Sequence, residues 1–256
     1  MTDTPQPSIE IKFLSAWYRH NQVLDNVSLS IPEKEIVSVI GPSGCGKSTL
    51  IRCLNRMHEL NPEAACQGEI IFEGKNILNA ETDPVGLRRK IGMLFQQPNP
   101  FPGLSIRENV LAGLKFIAEF DASTEDQVIH ESLSRVGLWD EVADRLSAPA
   151  TELALGQQQR LCLARALAVG PKVLLMDEPC ASLDPISTAR IEGLLQSLKE
   201  SVTILFVTHN LQQAARVSDR CAFLVAGKLI EYSDTDTMFT APRDMRTENY
   251  LTGKFG

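Results

Sequence analysis

Residues 41–49 read Gly41-Pro42-Ser43-Gly44-Cys45-Gly46-Lys47-Ser48-Thr49, which fits the pattern G-x-x-x-x-G-K-[ST]. The preceding residues 36–40 are a β-branched run suited to a strand buried in a parallel sheet. From Ser48 onward, apolar residues recur at helical spacing. A glycine-rich loop in this context turns backbone N–H groups and a positive helix N-terminus toward phosphates. The stretch therefore predicts a nucleoside triphosphate site in which Lys47 reaches the terminal phosphates and Ser48 binds Mg²⁺.

Two kinds of strand pattern surround this loop. Alternating segments that are typical of antiparallel strands lie at 9–13, 27–31 and 69–72. Apolar runs that are separated by helical stretches, and so indicate a parallel sheet, lie at 173–176, 202–207 and 222–225. Residues 105–146 have helical periodicity and predict an inserted helical region, and the tail from Thr235 predicts one or two closing helices.

These patterns predict an α/β fold, namely a P-loop NTPase core with a parallel sheet, a flanking antiparallel β-subdomain and an inserted helical subdomain. We expect one domain over residues 1–256. Its core and β-subdomain are expected at about 1–95 and 166–256, and its helical subdomain at about 96–165.

Charge and cysteine usage restrict the partners and the compartment. The formal net charge is −7 and no segment is a run of Lys or Arg, so we expect no nucleic-acid partner. The six cysteines form no C-x-x-C pair, which favours a reducing compartment over metal ligation. No signal pattern or membrane-spanning run is visible, so we expect a cytoplasmic protein that meets a membrane only through a partner.

Two adjacent carboxylates, Asp177 and Glu178, follow the apolar run 173–176. Alternation along a strand points such neighbours in different directions. Phosphoryl hydrolysis needs one group to hold Mg²⁺ and another to position and activate water, and we expect Asp177 and Glu178 to fill these roles respectively. The alternative is a buried strand that ends in two solvated acids, and the glycine-rich loop favours the catalytic interpretation.

Further motifs follow in a fixed order. They are Phe95-Gln96-Gln97-Pro98, the segment 153–160, Leu175-Met176-Asp177-Glu178-Pro179, Ser182-Leu183-Asp184 and Val207-Thr208-His209. With the glycine-rich loop, this order resembles the nucleotide-binding subunits of ATP-binding-cassette (ABC) transporters over almost the whole chain. Within that family, the stretches 180–188, 208–216 and 250–256 look most like the ATPases of phosphate importers.

The resemblance implies roles for several single residues. Gln96 would join the Mg²⁺ shell and sense the membrane subunit, and His209 would contact the γ-phosphate. A solvated glutamine and a structural histidine are the respective alternatives. Tyr18 would stack on adenine, although it could be a core aromatic and Trp17 is a neighbouring candidate. Asp184 would link two protomers.

Three other histidines, His20, His58 and His130, match no motif, and we expect them at the surface. The resemblance further implies ATP and Mg²⁺ as ligands and a head-to-tail dimer of like or paralogous chains. It also implies two membrane-spanning permease subunits and, indirectly, an extracytoplasmic solute-binding protein. The chain would then lie at the cytoplasmic face of the membrane and couple ATP hydrolysis to the import of inorganic phosphate.

One motif departs from the family pattern. The signature reads Leu153-Ala154-Leu155-Gly156-Gln157 where the family has Leu-Ser-Gly-Gly-Gln. Ala154 lacks the hydroxyl that addresses the partner's γ-phosphate, and losing a hydrogen bond to a charged group costs about 1.5–3 kcal/mol. Leu155 places a branched side chain where the backbone should approach phosphate and where glycine's freedom at positive φ is expected to be needed. Gly156, Gln157 and the helix after them keep their favourable dipole.

Two hypotheses follow from this departure. In the first, the chain is a working transport ATPase, since every residue of the chemical step is present. In the second, it is an ATP-binding but weakly hydrolysing regulatory subunit, or one that depends on a paralogue for a complete signature. We favour the first. A soluble cassette protein acting on DNA or ribosomes is disfavoured, because the chain has no second cassette and no coiled-coil insertion.

Overall fold

A computed structural model describes residues 7–116 and 120–254. The strands in these ranges are β1 (Ile9–Tyr18), β2 (Asn21–Ile31), β3 (Ile36–Ile40), β4 (Ala64–Phe72), β5 (Lys75–Asn76), β6 (Ile91–Leu94), β7 (Val173–Asp177), β8 (Thr203–Val207), β9 (Arg220–Val225) and β10 (Lys228–Asp234). The α-helices are α1 (Lys47–Leu54), α2 (Pro84–Lys90), α3 (Ile106–Leu111), α4 (Glu125–Arg135), α5 (Trp139–Val142), α6 (Leu155–Ala168), α7 (Pro185–Leu198), α8 (Leu211–Val217), α9 (Thr235–Thr240) and α10 (Met245–Leu251).

A six-stranded sheet in the order β10-β9-β3-β8-β7-β6 forms the centre of the fold. The five strands from β9 to β6 are mutually parallel, which confirms the predicted parallel sheet, and β10 adds an antiparallel edge. Val207 of β8 pairs with both Val39 of β3 and Asp177 of β7. The carboxyl ends of the three central strands therefore meet at one edge of the sheet.

Helices cover both faces of this sheet. Successive residues of β7 alternate between two apolar clusters, with Leu175 on the side of α1 and Leu174 and Met176 on the side of α6 and α7. Because both faces are covered, every residue of β3, β7 and β8 is buried. This is why these strands have continuous apolar sequences.

The second sheet is antiparallel, in the order β2-β1-β4-β5, and it confirms the predicted flanking β-subdomain. Its first two strands extend well beyond the predicted segments 9–13 and 27–31. Register shifts interrupt the β1–β2 ladder, and Phe13 has a positive φ of 51°. Bulges of this kind break the alternation of side chains while pairing continues, so the strand pattern ends before the strand does.

The inserted helical region is also confirmed. Helices α3 to α6 share one apolar cluster with the far face of the main sheet. Ser105 caps α3 by accepting from the Glu108 N–H at 3.2 Å, and the Glu108 carboxylate accepts from the Ser105 N–H at 2.8 Å. The division of the chain near residues 95 and 165 stays a prediction.

The closing helices predicted after Thr235 are α9 and α10, with residues 255–256 outside the described ranges. They pack on the end of β3 and on β9 through a third apolar cluster. No helix in residues 7–116 and 120–254 combines the length and apolarity needed to cross a membrane.

Candidate nucleotide site

The glycine-rich loop joins β3 to α1 and closes around the side chain of Lys47. The Lys47 Nζ donates to the carbonyl oxygens of Gly41 at 2.8 Å and Pro42 at 2.9 Å. Gly46 has φ 106°, and a β-carbon there would lie 2.8 Å from the Val23 carbonyl oxygen, so only glycine fits. The loop thus holds the ammonium group between two backbone carbonyl groups at the N-terminus of a helix. A cation and a helix N-terminus both attract phosphate.

A cavity of about 210 Å³ opens beside this loop. Residues of the loop, of β2 and of the segment after β7 line this cavity. They are Val23, Ser43, Gly44, Gly46, Lys47, Ser48, Thr49 and Glu178. The structure therefore brings the predicted phosphate ligands and the predicted general base to one cavity, although they are separated by 130 residues of sequence.

Ser48 and Asp177 form the second feature of the site. The Ser48 Oγ donates to Asp177 Oδ1 at 2.7 Å, and Arg52 lies 3.4 Å from the other carboxylate oxygen. Asp177 is buried, with 5% of its surface exposed. A hydroxyl and a carboxylate held together are hard oxygen donors of the kind that Mg²⁺ prefers, so these residues fit that ion.

Glu178 and His209 are the third feature. The Glu178 Oε2 lies 3.0 Å from His209 Nδ1, and the Glu178 N–H donates to the Val207 carbonyl at 3.0 Å. Glu178 has φ 48°, a left-handed conformation that is unfavourable for a residue with a side chain. Tertiary contacts therefore maintain a backbone strain that turns this carboxylate away from the direction of the strand. Glu178 also lines a neighbouring cavity of about 380 Å³ with His209.

Gln96 and Asp184 lie near this edge of the sheet in exposed positions. Gln96 follows β6, whose Leu94 pairs with Met176, so the chain delivers Gln96 to the same edge as Asp177. Asp184 caps α7 and accepts from the Ser187 N–H at 2.9 Å. A hydrogen bond from the Ser187 hydroxyl is the main cause that lowers the pKa of Asp184. Asp184 thus has a structural role within its own chain.

Tyr18 ends β1 and is half-buried, as is Trp17. The Tyr18 ring packs edge-on against the His58 ring with centroids 4.7 Å apart. His58 is itself 98% buried, with only 2% of its surface exposed, so the prediction of a surface position is wrong for it. The turn after α1 packs on β4, which places His58 Nε2 3.1 Å from the carbonyl oxygens of Trp17 and Ala65. His20 and His130 are exposed as predicted.

The altered signature forms the start of α6. Leu155 is the first helical residue and has a negative φ. It is 46% exposed, so its side chain projects toward solvent. The expectation that residue 155 needs glycine's freedom at positive φ is therefore wrong for this conformation. Ala154 precedes the helix in an extended conformation, and its N–H donates to the Gln157 Oε1 at 3.0 Å.

Gly156 and Gln157 tie this helix start to its neighbours. A β-carbon at Gly156 would lie 2.3 Å from the Ser187 Oγ, so glycine permits close contact between α6 and α7. The Gln157 amide donates to Glu141 at 2.8 Å. Hydrogen bonds from Arg160, which is buried, are the largest cause that lowers the pKa of Glu141 to about 2.

Two of these partners were absent from the sequence-based site. Arg52 lies four residues after Ser48, so helical spacing alone could have placed it beside the same carboxylate. Glu141 carried no signal, because its partners Gln157, Arg160 and Arg190 come from two other helices.

The sequence matches the family described as ABC transporter over residues 24–181. It is 52% identical to the phosphate import ATP-binding protein PstB of Leifsonia xyli, with 97% of this chain and 98% of that protein covered. It is 51% identical to the phosphate import ATP-binding protein PstB 2 of Bacillus subtilis, with 97% of this chain and 92% of that protein covered.

A similar structure is that of cbiO1 from Clostridium perfringens, described as part of the ABC transporter complex cbiONQ. The TM-score is 0.81 at 24% identity, with 97% of each chain covered, which supports the P-loop fold. The family match over residues 24–181 and the identity to the two relatives establish that the chain belongs to the ABC transporter family.

Proposed function

We propose that this chain is the ATP-hydrolysing subunit of a phosphate importer. The observation that carries the proposal is that the loop around Lys47 and the residue Glu178 line the same cavity. Ser48, which also lines it, is hydrogen-bonded to Asp177. Transfer of a phosphoryl group to water needs a cation at the terminal phosphates, a metal-binding pair and a base, and these residue types meet those needs.

In this proposal each residue has a defined part in ATP hydrolysis. Lys47 exchanges its two carbonyl partners for phosphate oxygens, and the backbone of residues 41–49 binds the remaining charge. Ser48 and Asp177, joined by Gln96, hold Mg²⁺, which supplies charge neutralisation at the phosphates. Glu178 orients water for attack on the γ-phosphorus and accepts its proton as ADP leaves.

The remaining predicted residues support this step. His209, already 3.0 Å from the Glu178 carboxylate, keeps that carboxylate facing the cavity and contacts the γ-phosphate. Tyr18 stacks on adenine from the end of β1. It pairs with Asn21 of β2, two residues before the cavity residue Val23. Asp184 and residues 154–157 of this chain lie on the surface that faces a second cassette.

The importer assignment rests on the relatives, which carry the name phosphate import ATP-binding protein at 51–52% identity. The proposed assembly contains two cassettes and two membrane-spanning permease subunits, and works with an extracytoplasmic solute-binding protein. The chain is then peripheral at the cytoplasmic face of the membrane. Phosphate does not pass through this chain, so its residues carry no phosphate selectivity of their own.

Steady-state ATP hydrolysis by the chain with its permease subunits tests this proposal. Glu178→Gln is expected to lower kcat at least about 100-fold while ATP binding is retained, because only the proton acceptor is removed. Glu200→Gln, which neutralises an exposed carboxylate in the turn after α7, is the matched control and should leave kcat unchanged. A wild-type rate no higher than that of Glu178→Gln would refute a hydrolytic role.

The altered signature supports a second function, an ATP-binding subunit that hydrolyses weakly or depends on a paralogue. The double change Ala154→Ser and Leu155→Gly separates the two. An increase in kcat of more than about tenfold would show that the native signature limits hydrolysis and would favour the second function. Loss of radioactive phosphate uptake in cells carrying Glu178→Gln would support the importer.

A further inference from the structure

The C-terminal helices pack against the strand that leads into the glycine-rich loop. Ile40, the last residue of β3, pairs with Phe223 of β9, and both are fully buried. They share an apolar cluster with Met238 of α9 and with Tyr250 and Leu251 of α10. Residue 41, the first of the loop, therefore directly follows a residue that the C-terminal segment covers.

Tyr250 is the aromatic residue that α10 contributes to this cluster. Its ring stacks on Phe223 with centroids 4.8 Å apart and 24° between the planes. Burial is the main cause that raises the pKa of the Tyr250 phenol, followed by the Cys45 thiol, while a hydrogen bond from the Gly41 backbone opposes them. Because Phe223 pairs with Ile40, the stacked ring lies beside the start of the loop, where the Gly41 backbone affects the phenol.

Gly41 has no room for a side chain, because other backbone and side-chain atoms pack closely against it. A β-carbon there would lie 2.0 Å from the Leu224 carbonyl oxygen and 2.9 Å from the Cys45 Sγ. Its own carbonyl oxygen accepts from Lys47 Nζ at 2.8 Å. A displacement of the Gly41 backbone on the side of Tyr250 would therefore also move the carbonyl oxygen that accepts from the ammonium group.

We propose that Tyr250 is a positioning residue for the nucleotide site, through which α10 holds the Gly41 peptide and hence Lys47 in the geometry that binds phosphate. The inference rests on the proposed function, since it requires that the loop bind ATP. By thermodynamic reciprocity, bound ATP also strengthens the docking of α10.

Tyr250→Phe tests the proposal because it keeps the stacked ring and removes only the phenol oxygen. Tyr232→Phe is a matched control, because Tyr232 is also half-buried and its hydroxyl donates to the Ser30 carbonyl at 2.6 Å, remote from the loop. The dissociation constant of a fluorescent ATP analogue, the KM and kcat for ATP, and amide hydrogen exchange of residues 41–46 are measured for both variants in the full chain.

We expect Tyr250→Phe to weaken binding of the analogue and raise KM by about three- to tenfold, as loss of one hydrogen bond predicts, with kcat within about twofold. Exchange of the loop amides should accelerate in this variant alone. A dissociation constant equal to that of wild type and Tyr232→Phe would overturn the inference. Failure of the wild-type chain to bind the analogue would overturn the proposed function instead.

Discussion

Gly156→Ala is the change for which the structure predicts the sharpest effect. The new β-carbon would lie 2.3 Å from the Ser187 Oγ and 2.8 Å from the Ser187 Cβ, whereas ordinary contacts begin at 3.4 Å. The starts of α6 and α7 must therefore separate by about 1 Å, and overpacking of this kind costs about 1–3 kcal/mol. Gly156 is helical, so no strain from positive φ adds to this cost, and the preference of helices for alanine offsets about 0.5–1 kcal/mol of it.

Denaturant unfolding measures the effect. Gly193→Ala is the matched control, because Gly193 is an exposed residue within α7 and a β-carbon there meets no atom within 4 Å. Alanine should stabilise that position by about 0.5–1 kcal/mol, so the same substitution is expected to have opposite signs at the two sites.

Ser187→Gly identifies the cause. Removing the opposing side chain should relieve the clash, so the double variant should be more stable than the sum of the single changes predicts by about 1–2 kcal/mol. Equal stability of Gly156→Ala and wild type would refute the reasoning. A double-mutant coupling energy near zero would also refute it, because the penalty would then not arise from this contact.

Two further predictions concern the same region. The pKa of Glu141 is lowered from 4.5 to about 2, so its contribution to stability is complete above about pH 4.5 and is lost as pH falls toward 2. Glu141→Gln should lower the free energy of unfolding at pH 7 by about 1.5–3 kcal/mol, because Arg160 and Arg190 lose a charged partner. The variant should also show a weaker dependence of stability on acid pH, and an unchanged dependence would contradict this. Asp184→Ala should lower the thermal stability and Asp184→Asn should lower it less, since asparagine also caps helices. Equal thermal stability of both variants and wild type would exclude the capping role.

The sequence was sufficient to predict the fold class, and it identified the chemical groups of the candidate site. Lys47, Asp177 and Glu178 each follow or adjoin a strand whose apolar run is recognisable, and parallel strands bring their carboxyl ends to one edge. Local pattern and chain order therefore predicted that these side chains would meet, and the structure places Lys47 and Glu178 on one cavity.

Only the tertiary structure decided the contacts between residues that are remote in sequence. The burial of His58, the Glu141 partners and the packing of Tyr250 near Gly41 depend on how separate elements meet, and such contacts leave no periodic trace. Gly156 is the clearest case. The signature motif implied only that Gly156 and the helix after it keep a favourable dipole. Its neighbour in space is Ser187, because close packing depends on the distance between two helices and not on the residues of either one.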